Sequence, residues 1–159
     1  MIIEAIIILI FAAFAGYLGN KISFTNKSKV SFMEAYDLTG LPIVTFKQGK
    51  TKFNCLLDTG ATKSVIVPTM LDVLKYAETD ITGTVFGMEG NIVNTKYVNV
   101  EFKHKNKEYT EEFQVVDMSN AFDALKQDTG VTVHGIIGGS FFAKYGYVID
   151  YKDFIAYSK

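Results

Sequence analysis

Apolar residues follow two patterns along the chain: an unbroken run at the N-terminus and short alternating segments after it. Residues 1–18 are apolar except for Glu4. As a helix, such a segment would rise about 27 Å, close to the ~30 Å thickness of a bilayer's hydrocarbon core. A helix packed on a soluble core would carry polar residues at helical spacing, and this segment does not. The pattern predicts a transmembrane anchor over residues 1–19.

A cleaved signal peptide is the alternative for the same segment. Ala13-Phe14-Ala15 has the small-x-small form of a cleavage site. However, Glu4 stands where a signal peptide carries basic residues, which favours a retained anchor.

The charges beside the anchor predict its orientation. Three lysines follow the apolar run and no basic side chain precedes it: Lys21, Lys27 and Lys29. The positive-inside rule therefore predicts a single-pass membrane protein whose body lies in the cytoplasm. Residues 20–40 begin with a stretch rich in Lys, Ser, Thr and Asn, and we interpret them as a juxtamembrane linker or extension.

Beyond residue 40 the apolar residues alternate with polar ones in short segments separated by turns, which is typical of β-strands. The pattern predicts three hairpins and one further strand: 41–46 with 51–57, 91–102 with 108–116, 147–150 with 154–157, and 64–67. Three short helical segments are indicated at 69–75, 119–126 and 140–145. We therefore expect one compact, antiparallel all-β domain over 41–159, with one or two short helices.

Composition excludes several classes of function. The chain has 16 basic against 17 acidic residues and a net charge of −1, so it lacks the basic character of a nucleic-acid-binding protein. The basic stretch of Lys103, Lys105 and Lys107 alternates with other residues, as in a solvated hairpin turn. The single cysteine, Cys55, lies in an apolar run and is expected to be a small buried side chain. We expect no metal and no cofactor, because the two histidines lack the spacing of metal ligands.

The most informative segment is Leu57-Asp58-Thr59-Gly60-Ala61, where an apolar strand leads directly into an acidic turn. Asp-Thr-Gly alone is an ordinary turn sequence, and the chain contains a second copy at 128–130. The second copy follows a polar, helix-like segment, and we interpret it as a non-catalytic loop. Only the first copy has a matching partner: an apolar strand that ends in Ile136-Ile137-Gly138 and leads into a helix.

With these two motifs, and with the closing segment 141–151, the chain from 41 to 157 resembles the retropepsin-like aspartic proteases. The resemblance implies a single-lobe, closed β domain. It implies that Asp58 is the catalytic carboxylate and that its loop is supported by a set of neighbours: Thr59, Gly60, Ala61, Ile136, Ile137 and Gly138. It also implies a flap over the substrate, formed by Phe86, Gly87, Met88, Glu89 and Gly90.

Hydrolysis of this kind uses two carboxylates that share one proton, one acting as base and the other as acid. The chain offers one convincing aspartate, so we expect a homodimer in which each copy supplies Asp58. The predicted function is a membrane-anchored aspartic endopeptidase acting on polypeptides. The alternatives are a membrane-anchored peptide-binding module on the same fold, which holds peptides without cutting them, and a scaffold that docks a partner. A pure binder has no need of a costly buried carboxylate, which argues against the binding module.

Overall fold

The computed structural model describes residues 31–86 and 92–159. The predicted anchor, residues 1–19, lies outside the described residues. The helices within the described ranges are all too short to cross a bilayer.

The described chain is dominated by β-strands, with three short α-helices. The strands are β1 (Ile43–Gln48), β2 (Thr51–Leu57), β3 (Ser64–Ile66), β4 (Tyr76–Phe86), β5 (Ile92–His104), β6 (Lys107–Val115), β7 (Gly135–Ile137), β8 (Tyr147–Asp150) and β9 (Ile155–Ser158). The helices are α1 (Phe32–Thr39), α2 (Ser119–Thr129) and α3 (Gly139–Tyr145), and a 3-10 helix spans Pro68–Asp72.

Seven strands form one sheet in the order β1-β2-β7-β3-β6-β5-β4, and an additional contact between β1 and β5 closes it into a barrel. The all-β prediction is confirmed, but the prediction of a purely antiparallel sheet is wrong. β2 pairs with β7 in parallel, and so does β3 with β6. β8 and β9 form a separate antiparallel pair.

Aromatic side chains fill the barrel. They come from β1, β2, β5, β6 and α3, and those of Phe46, Phe53, Phe102, Phe113 and Phe141 are each at most 2 % exposed. The ring centroids of Phe46, Phe53 and Phe141 lie 5.0, 5.7 and 6.0 Å from that of Phe102. Burial of such rings is the largest stabilising contribution available to a domain of this size.

Three local predictions need correction. The segment 69–75, expected to be an α-helix, begins as the 3-10 helix and leads into β4, a strand that the pattern did not predict. α2 extends three residues beyond its predicted end at Lys126. The second Asp-Thr-Gly is therefore not a loop: Asp128 and Thr129 form the last turn of α2, and Gly130 ends the helix in the left-handed conformation, with φ 74°.

The second half of the predicted extension is the helix α1. Ser31 caps its N-terminus by accepting a hydrogen bond from the Glu34 N–H, and Gly40 ends it with φ 69°. Phe32 and Tyr36 pack against two rings of the β8–β9 turn, Tyr151 and Phe154, with ring centroids 5.3–5.9 Å apart. α1 thus joins the body of the domain through aromatic contacts.

Candidate active site

The loop that carries Asp58 begins where β2 leaves the sheet. Leu57, the last residue of β2, is buried and lies opposite Ile137 of β7 in parallel register. The backbone N–H of Asp58 donates to the carbonyl of Ile137 at 2.9 Å. The two apolar strands therefore fix the point at which the aspartate emerges.

The turn after Asp58 holds its carboxylate in place. The Gly60 N–H donates to Asp58 Oδ1 at 2.8 Å, and the Ala61 N–H donates to the Asp58 carbonyl at 3.3 Å. A Cβ atom on residue 60 would lie 3.2 Å from Asp58 Oδ1, so glycine leaves room for this contact. Asp58 is half-buried, whereas Thr59 and Gly60 are exposed. The carboxylate is thus oriented by its own loop and still accessible.

The second predicted motif lies directly against this loop. The Gly139 N–H donates to the Ala61 carbonyl at 2.6 Å, and the Ser140 N–H donates to the Thr62 carbonyl at 3.3 Å. Ile136 and Ile137 are buried in β7, beside β2 on one side and β3 on the other. The fold therefore brings together all seven residues that the sequence placed at the catalytic loop and its support: Asp58, Thr59, Gly60, Ala61, Ile136, Ile137 and Gly138.

A groove of about 500 Å³ opens beside Asp58 and is mainly apolar. Asp58 is the one carboxylate among the described residues that line it. Its other lining residues are Leu41, Pro42, Leu56, Leu57, Thr59, Phe142, Tyr147, Ile149 and Tyr151. A groove of this kind can bind the apolar side chains of another molecule and place a polar group of that molecule next to the carboxylate.

The predicted flap is described only at its base. β4 ends at Phe86, which pairs with Ile92 of β5, so these strands form the two arms of a hairpin. Gly87, Met88, Glu89 and Gly90 lie outside the described residues, and their role as a flap stays a prediction.

A buried carboxylate lies in a second layer behind the Asp58 loop. Glu111 of β6 is 3 % exposed, and its Oε1 accepts hydrogen bonds from the hydroxyls of Ser64 at 2.8 Å and Ser140 at 3.0 Å. Ser64 Oγ in turn accepts the Gly138 N–H at 3.1 Å. Glu111 thus ties β3 and β6 to the segment that holds the Asp58 loop.

Sequence reasoning missed Glu111, Ser64 and Ser140, although one signal was present. Tyr109, Glu111 and Phe113 occupy alternate positions of one strand, and the aromatic residues on both sides of Glu111 predict that its side chain faces the interior. Its two serine partners come from distant parts of the chain, and no local pattern connects them to it.

The protonation of Glu111 is expected to affect the stability of the fold. Burial raises its pKa above the ordinary 4.5, against the opposing effects of the Ser64 and Ser140 hydrogen bonds and of Lys144 and Lys63. The folded state therefore holds this proton more tightly than the unfolded state. The stability due to protonated Glu111 is full below pH 4.5 and is lost as the pH rises through the raised pKa.

Glu111→Gln keeps the acceptor oxygen without the charge, so we expect urea unfolding at pH 8 to show a variant at least as stable as the wild type, with any difference in its favour. The difference between this variant and the wild type should shrink as the pH falls towards 5. Glu111→Ala is the matched comparison, because it leaves the hydroxyls of buried Ser64 and half-buried Ser140 without their acceptor and should cost about 1–3 kcal/mol. A Gln variant as unstable as the Ala variant would contradict this account.

Cys55 and His134 also have perturbed pKa values, and both have structural roles. Cys55 is fully buried, as predicted, and burial raises the pKa of its thiol. His134 Nδ1 accepts the Asn54 N–H at 2.9 Å, and burial lowers the pKa of this histidine. In residues 31–86 and 92–159, His, Cys, Asp and Glu side chains form no group of three that could hold a metal ion.

Comparison with known proteins gives a family match and a structural match. The family model described as "Retroviral aspartyl protease" matches residues 39–149. Among solved structures, EIAV protease complexed with the inhibitor HBY-793 is 22 % identical, with a TM-score of 0.48; the match covers 70 % of this chain and 93 % of that one. No curated protein matches the chain.

Proposed function

Because the chain belongs to the retroviral aspartyl protease family, we propose that it is an aspartic endopeptidase that acts as a homodimer. The observation that carries this proposal is the placement of Asp58. Its carboxylate is held by the Gly60 N–H, lies at the end of a buried strand, and lines an apolar groove. The family match supports the general class of reaction, and the loop geometry supports the choice of residue.

In the proposed mechanism the two Asp58 carboxylates, one from each copy, share a single proton. The ionised carboxylate takes a proton from water as the water oxygen bonds to the peptide carbonyl carbon. The protonated carboxyl donates its proton to the carbonyl oxygen. Proton transfer to the amide nitrogen then allows the C–N bond to break, which gives a free acid and a free amine.

The surface around Asp58 supports pairing with a second copy. Thr59 and Gly60 are exposed, whereas Ala61 is buried, with its N–H and carbonyl both bonded within the chain. We assign Thr59 to the contact between copies. We assign Gly60, Ala61, Ile136, Ile137 and Gly138 to support of the loop, and Phe86, Gly87, Met88, Glu89 and Gly90 to the flap that covers a bound peptide.

We also propose that residues 1–19 anchor the protein in a membrane with residues 41–159 in the cytoplasm. The unbroken apolar run and the lysines that follow it support this assignment. Confinement to one membrane would raise the effective concentration of the copies and favour their pairing.

The test of this function is cleavage of a mixed peptide library by the full chain in detergent micelles, read by mass spectrometry from acidic to neutral pH. Because the groove beside Asp58 is mainly apolar, cuts should fall between apolar residues. Because two copies form the site, the cleavage rate should rise with about the square of protein concentration while the dimer is scarce. A rate strictly proportional to concentration throughout would contradict the dimer. Absence of cuts by folded protein at every pH and concentration would overturn the peptidase and favour a binding module.

A further inference from the structure

The fold places three lysines side by side on one face of the barrel. Lys47 of β1 lies directly opposite Lys52 of β2 and, on its other side, directly opposite Lys103 of β5. Residues in direct register project to the same face, with Cβ atoms about 5 Å apart, and like charges in this arrangement repel. All three lysines are exposed. We call Lys47, Lys52 and Lys103 the lysine row.

Nearby carboxylates offset this charge only in part. Glu108 forms an ion pair with Lys103, and Glu101 lies two positions along β5 on the same face. Lys105, in the turn after β5, adds a fourth positive charge. Four lysines therefore face two carboxylates, and an anionic partner would relieve the remaining repulsion.

The lysine row borders a groove of about 470 Å³, which we call the lysine groove. Apolar side chains line its interior, among them Phe46, Phe154 and Ile155. Ser31, the first described residue, also lines it, so the N-terminal segment joins the domain here. None of its lining residues lines the groove beside Asp58.

We propose that the lysine groove docks the domain onto an anionic membrane surface, with the lysine row against acidic lipid headgroups. The proposal rests on the membrane anchor of the proposed function. Residues 20–31 span at most about 43 Å when extended, so Ser31 stays within reach of the bilayer that would hold residues 1–19. Lysines near an anionic leaflet are attracted to its acidic headgroups. Docking on this face leaves Asp58 and its groove free for a second copy and a peptide.

A nucleic acid is the other anionic partner, and the chain argues against it. All 16 basic residues are lysines, and the chain lacks arginine, the residue suited to bidentate contacts with phosphate and guanine.

The experiment is amide hydrogen exchange of the full chain in lipid nanodiscs, with or without phosphatidylserine in phosphatidylcholine. The turns at 48–51 and 104–107, at the ends of the strands that carry the lysine row, report docking. We expect their exchange to slow several-fold in the anionic nanodiscs and to recover at high salt. The triple variant Lys47→Gln, Lys52→Gln, Lys103→Gln should lose this effect.

A matched variant, Lys63→Gln, Lys96→Gln, Lys126→Gln, removes the same charge away from the lysine groove and should keep the effect. Equal exchange of the wild-type turns in both nanodiscs, or slowing that survives in the lysine-row variant, would overturn the proposal. Slowing by added RNA but not by phosphatidylserine would overturn it in favour of a nucleic acid.

The design separates this proposal from the proposed function. The lysine-row variant should cleave peptides normally in neutral nanodiscs, because its substitutions lie outside the Asp58 groove. If the chain fails to remain with the nanodiscs, the anchor is wrong. The same exchange measurement with added phosphatidylserine vesicles then decides the lysine groove alone.

Discussion

Asp58→Asn is expected to lower peptide cleavage by about 10³-fold or more, while the protein stays folded. The amide has the shape of the carboxylate, and its oxygen can still accept the Gly60 N–H that holds Asp58 Oδ1. It cannot, however, take a proton from the attacking water, and general acid–base catalysis of this kind contributes about 10²–10⁴-fold. In a homodimer the substitution removes both members of the pair, so we expect an effect at the upper end of that range.

The second Asp-Thr-Gly provides the matched control. Asp128→Asn makes the same chemical change in the same tripeptide, but in the last turn of α2, and should leave kcat/KM unchanged. Mixing the wild type with excess Asp58→Asn tests the pair itself, because mixed dimers contain one carboxylate. Cleavage should fall well below that of the wild type alone. Undiminished cleavage by Asp58→Asn would eliminate Asp58 as the catalytic residue.

The agreement between sequence and structure is best where two apolar strands meet. Leu57 and Ile137 are the last residues of two buried strands, and the local sequence is enough to predict the length and the apolar character of each. Each strand is followed by a segment that contains glycine. The sequence therefore predicted which loops form the candidate site. Their parallel pairing is a contact between residues eighty positions apart, and local periodicity carries no information about it.

Two elements escaped prediction for different reasons. β4 carries Glu78, Thr79, Asp80 and Thr82 within one run, and most of the strand is exposed, so it shows no apolar face. α1 had a usable signal: Ser31 and Glu34 have the spacing of a capping box, and Gly40 follows at the other end. The lysine row could not be predicted from local sequence, because it is formed by the register of β1 with β2 and with β5.

Gly138→Ala is expected to destabilise the protein by about 3 kcal/mol and to abolish most cleavage. The backbone of Gly138 is extended, with φ −96° and ψ 179°, so alanine can adopt its conformation without strain. The space around it is the obstacle. A Cβ atom there would lie 2.4 Å from the Lys63 carbonyl oxygen and 2.9 Å from that of Ala61. Overpacking of this kind typically costs about 1–3 kcal/mol, and these neighbours are backbone atoms that cannot rotate away.

Gly139→Ala is the matched control, because its Cβ would approach the Ala61 oxygen only to 3.3 Å. Urea unfolding should place this variant within about 1 kcal/mol of the wild type, since alanine also favours the first turn of α3. Equal stability of the two variants would contradict the packing argument. Relief of the Gly138→Ala clash requires the backbone of residues 61–63 to move away from α3, which disturbs the turn that holds Asp58. A Gly138→Ala protein that stays folded and loses kcat/KM would therefore show that the position of this loop controls cleavage.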